Sequence, residues 1–323
     1  MAQQKAQHKA GKAVESRKWP WVAAALAAHT AWGAYPVLAR YLQTISLLPS
    51  MSLLTVGTIV AFFGLVLLTR PRVEISFFRS RLAWAFMIVL AIRVISNLLA
   101  ARFTLAIYVQ LITLMTPFLV TLLSATLLRD RIPPYTGRAI IIATIGALLL
   151  MSGGIGGNGS GFSLVTNDWL GIGLALTGSL ALALYMILIR RSRRSSISGE
   201  GMLLIQLTTI LIISLPISLI LGEDWGRWRQ LQATDWLVFG AFTVVVLLGA
   251  NLGQISALRH LGAPMVSSLL AWRLVSALFF ATLLLGERLA SFWQLLGAII
   301  VLLTVTWYLW RQREPRSKFS HNT

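Results

Sequence analysis

The chain contains no cysteine, which excludes disulfides, thiolate nucleophiles and cysteine-ligated metal sites. Acidic residues are scarce: 10 Asp and Glu stand against 28 Lys and Arg, and none lies in the interior of a long apolar run. No two carboxylates share such a run, no two histidines stand at ligand spacing, and no Gly-Lys-Ser/Thr phosphate loop occurs. These absences argue against an enzyme, an ATP-driven pump, a metal site or any cofactor. The missing intramembrane carboxylate also weighs against trading protons for cationic drugs. Charged residues make up 12% of the chain, where a soluble domain carries about 25%.

What fills the chain instead is apolar sequence, 57% of 323 residues, more than a water-soluble core can hide. A net charge of +18 on a soluble chain would point to nucleic acid as a partner, but here the charges sit in short clusters between apolar runs. The sequence therefore predicts the lipid bilayer and a small-molecule substrate as partners, and no nucleic acid; a homodimer is left open. Residues 1–18 form a polar, basic segment with no apolar core. The first apolar run is too long for a cleaved signal and is expected to stay as a helix.

Apolar runs broken by charge, Gly or Pro give ten candidate spans, at 20–39, 50–69, 82–100, 104–128, 136–152, 169–189, 200–221, 235–254, 263–285 and 291–310. Each approaches the roughly 20 residues that a bilayer crossing needs. Alternating ten helices from a cytoplasmic amino terminus places 21 Lys and Arg on the inner side and 5 on the outer. That bias predicts a multi-pass protein of the inner or plasma membrane with both termini cytoplasmic. The cluster Arg190, Arg191, Arg193 and Arg194 reads as a topology determinant. Trp19, Trp21, Trp169, Trp225, Trp228, Trp236, Trp293, Trp307 and Trp310 read as an interfacial belt.

The chain also reads as a duplication. A shift of 157 residues lays Arg102 on Arg259, Ala106 on Ala263, Leu127-Leu128 on Leu284-Leu285, Asp130 on Glu287 and Arg131 on Arg288. Five helices is an odd number, so the second copy enters the membrane inverted, an arrangement common in secondary transporters. The predicted fold is all-α integral membrane: ten transmembrane helices as two inverted five-helix repeats. Residues 1–18 and 311–323 form basic cytoplasmic tails, 19–152 and 169–310 the repeats, and 153–168 a glycine-rich connector.

Several short motifs occur in this frame. Ala31-Trp32-Gly33-Ala34-Tyr35-Pro36 lies in the first span, and Thr116-Pro117 in the fourth, thirteen residues before Asp130. Gly286-Glu287-Arg288-Leu289 follows the ninth span, with Gly297 in the tenth. In order and spacing these motifs resemble the drug/metabolite transporter superfamily, in its EamA-type ten-helix branch. The resemblance implies a transporter with a central cavity lined by the third, fourth, eighth and ninth helices. This chain departs from the pattern in the ninth helix, where Leu274 replaces a proline beside Arg273.

Two cations in apolar runs are the main candidates for substrate binding. Arg273 lies ten residues into the 263–285 run, too deep for its side chain to reach an interface. Arg93 is about seven residues from its helix end, with Asn97 one turn on. Guanidinium suits a carboxylate or phosphate, so the substrate is expected to be a small anionic or zwitterionic metabolite. Asn251 and Gln254 follow Thr243 and Leu247 at helical spacing and complete the binding set; Tyr108 and Gln110 rank lower. His29 and Pro117 are candidates for coupling or gating, the first as a titrating group and the second as a hinge. Gly249 and Gly253 read as a close helix contact. The alternatives are an exporter of neutral or cationic compounds on the same fold, an integral-membrane enzyme, or a non-transporting membrane protein.

Overall fold

The computed structural model describes residues 19–70, 81–128, 135–151, 168–192, 198–261, 272–286 and 291–311. Residues 1–18, 152–167 and 312–323 and the Asp130 and Glu287 motif positions lie outside the described residues. Among the described residues the structure is helical, without a strand. In lipid every backbone N–H and C=O needs a partner, and a helix supplies one within its own segment.

The first half contributes α1 (Trp19–Thr44), α2 (Ser50–Thr69), α3 (Arg81–Phe103), α4 (Ala106–Thr113), α5 (Thr116–Leu128) and α6 (Thr136–Met151). The second contributes α7 (Asp168–Ser192), α8 (Gly199–Ile220), α9 (Ala233–Gly240), α10 (Asn251–Leu261), α11 (Trp272–Leu285) and α12 (Phe292–Arg311). A short 3₁₀ turn, Trp225–Gln230, follows α8, and a π-helical segment, Ala241–Ala250, joins α9 to α10. Among the described residues seven helices are long and apolar enough to cross a membrane; Thr136–Gly146, Trp272–Leu285 and Phe292–Tyr308 are shorter apolar helices.

These helices are apolar on their outer faces as well as inside. Leu67, Leu237 and Ile220 are exposed by 80%, 75% and 83%, a surface that suits hydrocarbon rather than water. The largest core gathers Tyr35 and Leu42 of α1, Leu53 and Leu54 of α2, Phe86 and Leu90 of α3, Tyr185 of α7, Leu207 of α8, and Phe242 and Leu247 of the π segment. A second core joins α4, α5, α6, α11 and α12 around Tyr308, whose hydroxyl pairs with Thr121 at 3.1 Å and Thr136 at 2.9 Å.

Small residues set the closest approaches. A Cβ on Gly33 of α1 would stand 2.6 Å from the Arg273 carbonyl and 2.7 Å from Ser276 Cβ, so α11 presses directly on α1 there. Ser276 Oγ donates to the Thr30 carbonyl at 2.7 Å, and Trp272 Nε1 to Thr30 Oγ1 at 2.9 Å, fixing the register of that pair.

Carboxylates secure one end of the bundle. Glu223 accepts from the Met51 and Ser52 amides at 3.0 and 2.6 Å and from Ser218 Oγ at 2.7 Å. It thereby caps α2, whose first amides have no intrahelical partner, and ties α2 to α8. Asp235 accepts from Gln232 N at 2.9 Å and from Ser46 Oγ at 2.7 Å, so the start of α9 is held against the end of α1.

Candidate functional site

One interior cavity draws its wall from both halves of the chain. Trp32, Tyr35 and Pro36 of α1 line it, with Thr58 of α2, Arg93, Val94 and Asn97 of α3, and Val109, Gln110 and Thr113 of α4. From the second half come Leu182, Gln206, Leu207, Ile210, Leu247, Asn251 and Arg273. About 50 Å³ is open to water-sized molecules, where a single water needs about 10–15 Å³. The space takes a few waters or the polar end of a small solute.

Arg93 is buried, 6% exposed, and is held by rings rather than by an anion. Its Cζ lies 4.5 Å from the Tyr185 ring centroid and 5.4 Å from that of Trp32. A desolvated cation–π contact contributes about 2 kcal/mol, against roughly 2.5–3.5 kcal/mol for placing Arg near a bilayer centre. The two terms are of similar size, so the rings explain why a cation is tolerated here. Nη1 of Arg93 nevertheless has no hydrogen-bond partner.

Arg273, 4% exposed, is bound differently. Nε donates to His29 Nδ1 at 2.8 Å and Nη2 to Gln254 Oε1 at 3.3 Å. Its Cζ also lies 5.5 Å from the Trp32 centroid, so one indole serves both arginines. His29 and Gln254 therefore hold Arg273, and neither is part of the cavity wall itself.

A polar chain runs along the wall beside Arg93. Tyr185 OH donates to Gln206 Oε1 at 2.9 Å, Gln206 Nε2 to Asn251 Oδ1 at 3.3 Å, and Asn251 Nδ2 to the Leu247 carbonyl at 2.7 Å. This chain links α7, α8 and α10 and uses both polar atoms of Asn251. Asn97 sits against Gly178 of α7, where an added Cβ would come within 2.5 Å of its Oδ1.

Of the predicted binding residues, the structure brings Arg93, Asn97, Asn251 and Arg273 to one cavity and places Gln254 behind Arg273. Gln110 belongs to the wall, whereas Tyr108 packs in the second core. Pro117 lies in the first turn of α5, where a missing N–H costs little, just after the break at Leu114 and Met115. The Thr113 carbonyl, which an N–H at 117 would meet in a continuous helix, belongs to a wall residue.

Sequence reasoning overlooked Thr58, Tyr185 and Gln206, and read Trp32 within a motif rather than as part of a site. Gln206 was findable, as a lone amide in an Ile- and Leu-rich run. The π segment is a difference of another kind. Thr243 and Leu247 lie on π-helical rather than α-helical backbone, yet Leu247 and Asn251 line the same cavity and Asn251 Nδ2 donates to the Leu247 carbonyl at 2.7 Å. Asn251 faces the cavity and Gln254 turns to Arg273.

A model of the EamA-like transporter family matches residues 169–310, within the drug/metabolite transporter superfamily. One solved crystal structure aligns over 90% of this chain and 99% of its own, with a TM-score of 0.57 and 18% identity, a likeness of fold. No curated protein matches the chain. Members of that family are transporters, and the match together with the seven described helices long and apolar enough to cross a membrane supports a multi-pass membrane protein.

Proposed function

We propose that the chain, whose residues 169–310 match the EamA-like transporter family, is a secondary carrier moving a small anionic or zwitterionic metabolite by alternating access. One observation carries this reading: buried Arg93, with an unbonded Nη1, stands in a cavity that both halves line, and no carboxylate is among the described residues that line it.

The reading includes ten spans in two inverted repeats, with α4–α5 and α9–α10 each counted as one. Helix partnerships support it. Exchanging α1 with α7, α2 with α8, α3 with α9–α10, α4–α5 with α11, and α6 with α12 preserves the most extensive helix partnerships among the described residues. Thus α3 lies along α7 as the π segment and α10 lie along α1, and α11 lies along α1 as α4 and α5 lie along α7. The α2–α8 and α6–α12 pairs map onto themselves. A cavity on such an axis is where rocking of one half against the other alternates access. The bias of basic residues supports placement in the cell membrane with both termini cytoplasmic.

In this mechanism Arg93 meets the substrate, with Asn97 and Asn251 beside it. Arg273 closes α11 onto α1 through His29 and onto α10 through Gln254. His29 couples because protonation at Nδ1 turns its acceptor into a donor facing a cation. Pro117 provides the hinge at the α4–α5 break.

The test is uptake into liposomes holding the purified chain, with labelled anionic, zwitterionic, neutral and cationic solutes. Saturable uptake of an anion or zwitterion, lost in Arg93→Met, is the expected result. Flux confined to cations or neutral solutes and indifferent to Arg93 would overturn the substrate class, and absence of any flux would overturn the carrier reading.

A further inference from the structure

Resting on the carrier reading, we infer that the cavity communicates with the outer side along a hydroxyl-lined seam between α2 and α8, and that Glu223 is the gate at the mouth of that seam.

The seam can be followed turn by turn. On α2, Ser52, Thr55 and Thr58 recur every three residues; on α8, Ser218 and Ser214 stand one turn apart. All five are fully buried. Thr55 Oγ1 donates to Ser214 Oγ at 2.9 Å, so the two rows face each other. Both rows lead inward to the cavity wall, at Thr58 on α2 and, one turn beyond Ser214, at Ile210 on α8. The Thr58 hydroxyl has no partner there.

Hydroxyls can join helices in lipid, but close packing does not require them. Where α6 meets α12, Gly146 packs directly on the side chains of Ile300 and Val301. A polar solute leaving water needs groups that replace its hydration, and a row of hydroxyls from helix end to cavity supplies them.

Glu223 stands where this row meets the outer end. It belongs to the second half, yet it accepts from the Met51 and Ser52 amides of the first as well as from Ser218 Oγ beside it. Pro49, which precedes α2, offers no side-chain cap, so the cap comes from across the seam. Trp228 Nε1 adds a bond to Ser52 Oγ at 3.3 Å. While these bonds hold, the first turn of α2 is pinned to the end of α8. Pro216 lies between Ser214 and Ser218. Having no N–H, it leaves the Ile212 carbonyl without its helical donor, and a helix bends readily at such a point. The last turn of α8, with Glu223 just beyond it, can therefore swing away from α2 while the inner turns stay packed.

Because the chain has no cysteine, single thiols report on the seam without background. Intact cells carrying the full chain are treated with an impermeant methanethiosulfonate reagent added outside. Ser214→Cys lies within the seam, Thr58→Cys at its cavity end, and Ser179→Cys, also buried but on α7, is the control. Gln230→Cys, exposed beyond Glu223, reports which end faces the reagent. Gln230→Cys should react at once, Ser214→Cys and Thr58→Cys slowly, and Ser179→Cys not at all. Glu223→Gln exchanges charge-assisted bonds for neutral ones and should speed labelling of Ser214→Cys and Thr58→Cys roughly tenfold, with Ser179→Cys still protected. Ser218→Ala removes one bond and keeps the carboxylate, so it guards against a misfolded Glu223 variant; a several-fold rise is expected.

Unchanged labelling in both gate variants overturns the inference. So does a rise at Ser214→Cys alone, which marks a frayed helix end, or an equal rise at Ser179→Cys, which marks general loosening. Gln230→Cys that stays shielded in intact cells puts this end inside and also overturns it. The labelling needs no substrate, so each of these failures leaves the carrier reading to the liposome panel. The expected labelling with no solute taken up would uphold the gated seam and overturn the carrier reading.

Discussion

Nε of Arg273 donates to Nδ1 of His29 at 2.8 Å, and this bond joins α11 to α1 inside the bundle, where the two residues are 4% and 0% exposed. An acceptor at Nδ1 places the proton of a neutral imidazole on Nε2. The pair is thus a neutral acceptor meeting a cation, and it supports the close contact at Gly33 one turn along α1.

Removing that acceptor should be felt in stability. His29→Leu leaves Nε unsatisfied in an apolar interior and should cost about 1–3 kcal/mol. His29→Gln, which can still present an acceptor, should recover part of the loss. Thermal unfolding of both variants, with Arg273→Met and the double variant, makes a complete cycle. Coupling well above the few tenths of a kcal/mol seen for independent sites is expected; plain additivity would show that the bond contributes nothing.

Arg93 should behave in the opposite way. Its rings offset the cost of burial, but its open Nη1 is an unsatisfied donor, so Arg93→Met should leave stability unchanged or higher while abolishing substrate binding. Such a split between stability and function is typical of residues kept for a ligand. A loss of about 3 kcal/mol or more in unfolding would instead mark Arg93 as a structural cation.

The sequence made part of this site legible because charge in an apolar run is a strong physical signal. Arg93 and Arg273 stood out for that reason, and Asn97 and Asn251 followed from polar residues at helical spacing; all four lie in one cavity. The π segment was not legible, since a shift from i−4 to i−5 bonding leaves no composition or period in a run as uniform as Ala241–Ala250. Nor was the dual use of Trp32, because a sequence shows an indole but not which cations approach it. The Gly249 and Gly253 pair reads as one contact in sequence; in the structure a Cβ on Gly253 would meet Ala28 at 3.3 Å, whereas Gly249 faces only its own helix.

Gly178 offers a geometric test of the Asn97 wall. A methyl group there would stand 2.5 Å from Asn97 Oδ1 and 2.9 Å from its Cγ. Overpacking of this kind costs about 1–3 kcal/mol unless the side chain moves. Gly178→Ala should therefore lower the unfolding temperature or shift Asn97, and in either case weaken ligand binding. Gly173 on the same helix has open space around it, so Gly173→Ala is the matched control and should leave binding unchanged.

Charge selectivity can be tested by placing a carboxylate where the structure has an amide. Gln206 lies in the cavity wall and touches Tyr185, whose ring carries Arg93. Gln206→Glu keeps an acceptor for the Tyr185 hydroxyl and loses the donor to Asn251, a single neutral bond of about 1 kcal/mol. Against that loss, the new anion shares a low-dielectric cavity with two arginines, where opposite charges attract far more strongly than in water. The variant should therefore fold at least as stably as the parent, lose anion binding because its own carboxylate competes for Arg93, and admit a zwitterion or cation. Unfolding temperature and liposome uptake of anionic, zwitterionic, neutral and cationic solutes read these effects independently. Undiminished anion uptake in Gln206→Glu would place the transported solute away from this cavity.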